Sequence, residues 1–225
     1  MKEKKQTPSP SGRVGVGIKI CGMKNNITEV AALQPDYLGF IFYEKSPRYF
    51  DAEEIPSLPL GIKKVGIFVD EKHSKVLELV KKHDLDIIQL HGNETVDFCD
   101  KLRKECQVER SRDLSIWKVF SIKDEFDFEI LKPYESSVDK FLFDTKGKEK
   151  GGNGYTFNWE ILKKYTSKKP FILSGGIGLE EIDSLKELLK TDLPIHAIDV
   201  NSKFEIEPGL KEIALLQGFQ NLIGL

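Results

Sequence analysis

Short β-rich apolar runs alternate with helix-like segments along almost the whole of this 225-residue chain, and this alternation constrains its fold more than any other feature. The runs are Val16–Ile20, Tyr37–Phe42, Lys64–Val69, Asp86–Leu90, Ser115–Phe120, Lys140–Phe143, Pro170–Leu173 and Ile195–Val200. Between them, apolar residues recur at helical spacing. Val76, Leu79 and Val80 share a stripe within Lys72–Lys82, and Val96, Cys99 and Leu102 share one within Glu94–Lys104. Ile182, Leu185, Leu188 and Leu189 do so within Leu179–Lys190, and Leu210–Gln217 closes the series. The segments after runs two, five and six are weaker helices, with Pro56 and Pro59 shortening the first of these. Strands alternating with helices imply a parallel sheet. Eight units of roughly 26 residues suggest that the sheet closes, giving an α/β fold of the (β/α)8 TIM-barrel type near the small end of its size range. An open doubly wound sheet is the alternative, and the lack of an early Gly-x-Gly-x-x-Gly turn disfavours it.

Composition removes several function classes. Lys+Arg number 34 against Asp+Glu 36, a formal net charge of −2, so neither a basic nucleic-acid scaffold nor an acidic tail protein is indicated. The longest apolar run, Tyr37 to Tyr43, is far shorter than the about 20 residues of a membrane-spanning helix. Residues 1–13 are rich in Lys, Pro and Ser and read as a mobile tail without a signal-peptide core; residues 14–225 read as one barrel domain. Three cysteines, Cys21, Cys99 and Cys106, do not make a disulfide framework and fit a reducing, cytoplasmic setting. With no obvious apolar stripe left over, a monomer is the default expectation and a homodimer the alternative.

In a barrel of this type, the residues following each strand line the active site. Here they are polar or reactive: Lys19-Ile20-Cys21-Gly22, Ser46-Pro47-Arg48, Gln89-Leu90-His91-Gly92, Asp144 followed by Gly151-Gly152-Asn153-Gly154, Ser174-Gly175-Gly176 and Asp199-Val200-Asn201-Ser202. Each motif is weak alone. Six in order at six strand ends are specific, and together, over about Ile18 to Lys211, they resemble the phosphoribosylanthranilate isomerase family.

That resemblance implies a cofactor-free, metal-free Amadori rearrangement of a small phosphorylated substrate, with no nucleic-acid or membrane partner. It implies Cys21 as general base, Asp144 as general acid and Arg48 as the holder of a substrate carboxylate. The loops after strands seven and eight, with Gly175, Gly176, Asp199, Asn201 and Ser202, would hold the phosphate; His91 is either a substrate contact or a satisfied rim histidine, and Gly152 and Gly154 belong either to an active-site loop or to a connector. Independent chemistry agrees in kind. Ring opening needs a proton on the ribose oxygen, which a poorly solvated carboxylic acid can give, and a thiolate of lowered pKa can then take the acidified C2 proton. Paired glycines bring backbone N–H groups close to an anion, and Pro208-Gly209-Leu210 is expected to open the last helix with its N-terminus towards phosphate.

Strand alternation adds one expectation. Lys19 and Cys21 are two apart and share a face, and in a closed barrel strand eight adjoins strand one. Lys19 is therefore expected beneath Cys21, paired with Asp199 and favouring the thiolate. Cys99 and Cys106 read as inert core residues, and His73, His83 and His196 as structural ones. Lys24, Asn153, Asn201 and Lys203 depart from the family pattern; Lys203 either adds charge at the phosphate or crowds its loop. Two other functions compete: a metal-dependent phosphosugar epimerase, short of ligands here, and a barrel that binds a phosphorylated metabolite without turnover, which would need neither Cys21 nor Asp144.

Overall fold

The computed structural model describes residues 15–109, 114–123, 125–145 and 156–224. The expected tail at 1–13 and the Gly151–Gly154 loop, with Gly152, Asn153 and Gly154, lie outside the described residues. Eight parallel strands close in sequence order: β1 (Gly17–Ile20), β2 (Tyr37–Ile41), β3 (Lys63–Phe68), β4 (Ile87–Leu90), β5 (Ser115–Ile122), β6 (Lys140–Thr145), β7 (Phe171–Leu173) and β8 (Ile195–Val200). All eight expected strands are present. β8 pairs with β1 in the register Gly17↔Ala197 to Ile20↔Val200, which seals the barrel.

The helices are α1 (Ile27–Ala31), α2 (His73–His83), α3 (Val96–Glu109), α4 (Ile182–Leu189) and α5 (Ile213–Ile223). The weak segments after β5 and β6 form 3-10 turns, Phe128–Tyr134 and Trp159–Lys164, and no helix forms between β2 and β3. The short α1 was not expected from the sequence pattern.

The last unit corrects an expectation. Leu210–Gln217 is not one helix. Glu205–Glu207 (β9) and Leu210–Lys211 (β10) pair as an antiparallel hairpin, with Pro208 and Gly209 at its turn, and α5 begins only at Ile213. Gly209 takes φ +87°, and a Cβ there would sit 2.7 Å from the Cβ of Lys24, so glycine turns the chain where a helix would have to start. Pro208 therefore points no helix N-terminus at phosphate.

The core has two parts. Ile20, Phe40, Phe68, Phe143 and Phe171 belong to the layer between strands and helices. Tyr37, Val65, Ile67, Trp117, Val119, Leu142 and Ile172 fill the barrel itself, with Cys21 joining them from above. The lumen is thus a packed floor, and anything bound must sit over the C-terminal ends of the strands.

Candidate active site

A cavity of about 580 Å3 opens over those strand ends. Cys21, Arg48, His91 and Asp144 line it, as do Gly175, Gly176, Asp199, Asn201 and Ser202. Every site residue named from sequence that falls among the described residues therefore reaches one cavity. Backbone geometry explains two of its glycines. Gly22 holds φ +72°, and a Cβ there would come within 2.7 Å of both the Arg48 Cδ and the Asn201 Oδ1. Gly175 holds φ +93° with Thr145 atoms from 2.3 Å of the added Cβ. Side chains at either position would push apart the strand ends that shape the cavity.

Cys21 sits on a charged floor. Lys19, wholly buried, donates to Asp199 Oδ1 at 2.9 Å, and Ser174 Oγ donates to Asp199 Oδ2 at 3.2 Å. The pairing expected from strand alternation is present. Lys19 favours the thiolate as expected, but the net shift of the thiol is upward. Burial pushes the Cys21 thiol up; Lys19 and Lys211 pull it down without overcoming burial, and Asp199 opposes them. Burial thus favours the thiol, because loss of water costs the thiolate more than two nearby ammonium groups return. Burial also pulls the Lys19 ammonium down, but Asp199 and Cys21 outweigh it and hold the lysine charged.

Asp144 lies inside β6 and is 5% exposed. Its Oδ2 is 3.3 Å from His91 Nε2, and His91 Nδ1 is 3.3 Å from the Gln89 side-chain Nε2. His91 is thus held against Asp144 at the cavity wall. Its loop is anchored from behind: Lys118 pairs with Glu94 at 3.1 Å and donates to the Gly92 carbonyl at 2.9 Å, while Glu94 accepts from the backbone N–H groups of Gly92 and Asp70. Among the described residues no three or more His, Cys, Asp or Glu side chains cluster as metal ligands.

The comparisons decide the family. A sequence model described as N-(5'phosphoribosyl)anthranilate (PRA) isomerase matches residues 18–221. The chain belongs to that isomerase family. A relative from Parabacteroides distasonis named N-(5'-phosphoribosyl)anthranilate isomerase is 42% identical over 90% of this chain and 90% of its own. One from Phocaeicola vulgatus, with the same name, is 40% identical over 91% and 96%. A crystal structure of phosphoribosyl anthranilate isomerase from Thermotoga maritima superposes with a TM-score of 0.76 at 31% identity, covering 93% of this chain and all of that one. Another member, in complex with reduced 1-(o-carboxyphenylamino)-1-deoxyribulose 5-phosphate, gives 0.72 at 28% over the same shares.

Within this family member, sequence reasoning missed the partners of Arg48. Glu205 on β9 accepts from Arg48 Nε at 2.9 and 3.0 Å and from Nη2 at 2.6 Å. It also accepts from Lys211 Nζ at 2.8 Å and from the Gly209 backbone at 3.1 Å. Lys211, fully buried, reaches on to Asn201 Oδ1 at 2.8 Å. One buried carboxylate between two cations leaves a local excess of one positive charge. Burial raises the Glu205 carboxyl, but Arg48 and Lys211 overcome it and hold the group below its ordinary range. Only Leu210–Lys211 of that hairpin falls within the helix expected from sequence, and no element is expected over Glu205–Glu207, so neither partner of Arg48 stands out in the sequence. Of the departures from pattern, Lys203 lines the cavity rim with Nζ 3.5 Å from Glu180 Oε1, and Lys24 pairs outside with Asp51 at 3.3 Å.

Proposed function

We propose that this chain isomerises N-(5'-phosphoribosyl)anthranilate to 1-(2-carboxyphenylamino)-1-deoxyribulose 5-phosphate in tryptophan biosynthesis, by acid–base chemistry of its own side chains. The observation that carries this is the placing of a thiol, a carboxyl, a fixed guanidinium and a glycine-lined loop around one cavity. Residues 14–225 form the barrel domain in this reading.

Substrate lies with its phosphate against Gly175, Gly176, Asn201 and Ser202, where open backbone approaches an anion closely. Arg48, with Glu205 occupying Nε and one edge of Nη2, turns its remaining N–H groups to the anthranilate carboxylate. Asp144 gives a proton to the ribose ring oxygen, the C1–O bond breaks, and the nitrogen lone pair forms an iminium at C1. That cation acidifies the C2 proton and adds a positive charge beside Cys21. The added charge, with Lys19 and Lys211, favours the thiolate that burial disfavours. Cys21 takes the C2 proton, giving an enolamine that relaxes to the ketone. Asp199 serves as the counter-charge for Lys19 beneath the thiol rather than as a direct phosphate ligand.

The test is consumption of N-(5'-phosphoribosyl)anthranilate by purified protein, with product identified against a standard. Wild type is expected to turn over, and Cys21→Ala and Asp144→Asn each to lose about 10^2–10^4-fold, the usual worth of a general acid or base. A folded wild type that binds substrate without turnover overturns the reading. We further read the chain as a cytoplasmic monomer, its three cysteines being free. The phosphoribosylanthranilate isomerase of Thermotoga maritima, a relative at 30% identity, is dimeric and makes the homodimer the alternative, and light scattering separates the two.

A further inference from the structure

Gln89 carries a feature that the acid–base pair does not explain. It lies on β4, lines the cavity and is 1% exposed. Its amide nitrogen faces His91 Nδ1 at 3.3 Å, while its carbonyl Oε1 is buried with no hydrogen-bond partner among the described residues. A buried acceptor left without a donor carries the full cost of its lost hydration. Gln89 lines the cavity, and a ligand that settles there is a source of the donor this acceptor lacks.

The other end of the amide has a consequence for the proton inventory. An amide NH2 only donates, so His91 Nδ1 must accept. A neutral imidazole then carries its proton on Nε2, which faces Asp144 Oδ2 at 3.3 Å. Gln89 thereby decides that His91 offers a donor, not a lone pair, to the carboxyl. Further charges stand around this pair: Asp199 on β8, which feels Asp144 and is itself held by Lys19 on β1, and the Lys118–Glu94 pair behind the His91 loop.

We propose that Gln89 is a positioning residue of this site: its NH2 fixes His91 as the Nε2–H tautomer that donates to Asp144, and its buried carbonyl receives a hydroxyl or amine N–H of the bound sugar phosphate. The proposal deepens the isomerase reading and rests on it for the identity of the ligand; the tautomer does not depend on turnover.

The experiment is long-range 1H–15N correlation of the histidine rings at a pH where they are neutral, with His91→Asn assigning the His91 signals. Wild type is expected to show His91 as Nε2–H. Gln89→Glu presents only acceptors and is expected to invert it to Nδ1–H. Gln89→Met, similar in size and without donor or acceptor, is expected to give a mixture. Steady-state kinetics on Gln89→Met is expected to show KM raised several-fold for the lost carbonyl and kcat lowered for the lost tautomer, together about tenfold in kcat/KM. Thermal unfolding confirms that the variant is folded. His91 found as Nδ1–H in wild type overturns the tautomer assignment, retention of Nε2–H in Gln89→Met overturns its control by Gln89, and an unchanged KM overturns the ligand contact. Absence of wild-type turnover would instead sink the isomerase reading and leave the tautomer result standing.

Discussion

Lys19 is wholly buried, and an ammonium taken out of water persists only when it is paired. Asp199 supplies that pairing, so the two strands that close the barrel also bring a cation beneath the reactive thiol. Removing the lysine tests what it does for Cys21. In Lys19→Met the thiol loses the larger of its two pulls downward, and its alkylation by iodoacetamide is expected to move to higher pH. The rate at pH 8 should then fall by about tenfold for every pH unit by which the profile moves. The buried carboxylate is stranded as well, so stability is expected to fall by about 3–5 kcal/mol. Lys19→Met combined with Asp199→Asn separates these effects: stability should recover in large part while the thiol stays sluggish. An alkylation profile superimposable on wild type would mean that Lys19 only holds the barrel shut.

At the scale of elements, the β9–β10 hairpin is where site and fold meet. Its carboxylate, Glu205, grips Arg48 from a position 157 residues later in the chain. Glu205→Gln keeps the shape but removes the charge that holds both Arg48 and Lys211. The guanidinium should then lose its fixed orientation, raising KM for the carboxylate-bearing substrate by about tenfold with a smaller change in kcat. A KM within twofold of wild type would show that Arg48 needs no such anchor. The eight strands were legible because each is a short apolar run bounded by polar turns, a local property. Lys19 and Asp199 were legible because closure makes β1 and β8 neighbours and alternation fixes their faces. The hairpin was not, because the apolar stripe of Leu210–Gln217 is real, with Leu216 buried, and nothing local says that Glu205 and Lys211 meet Arg48 and Asn201. The lowered thiol pKa failed for a similar reason: desolvation is a property of the assembled core. Gln89 on β4 and His91 just past its end stand two residues apart, a signal that alternation carried one step beyond the strand could have supplied.

Taken whole, the barrel is polarised: one end carries the cavity, and the other is sealed by an aromatic plug. Tyr37 and Trp117 meet edge to face at 5.1 Å, and the Tyr37 hydroxyl is 2.6 Å from His196 Nε2. Burial there, reinforced by Lys140 and opposed by Asp36, brings His196 down to about 4. The plug therefore couples stability of the entire fold to pH, and the sign follows from where the proton binds. Between an unfolded value of about 6.5 and the folded value, the unfolded chain takes up a proton at this histidine and the folded protein does not. The stabilisation is complete above pH 6.5 and is lost as pH falls towards 4, by at most about 3 kcal/mol for this residue. Carboxylates titrate over the same range, so wild type alone cannot isolate the histidine. His196→Gln takes no proton, and any fixed loss of packing it causes is independent of pH. Urea unfolding of both proteins at pH 7 and pH 4.5 is expected to show wild type losing about 2 kcal/mol more than the variant on acidification. Parallel losses in the two would mean that His196 titrates in the folded barrel as it does in the unfolded chain and that the plug is indifferent to pH; a smaller loss in wild type would mean that the folded barrel holds the proton, with Tyr37 accepting from it.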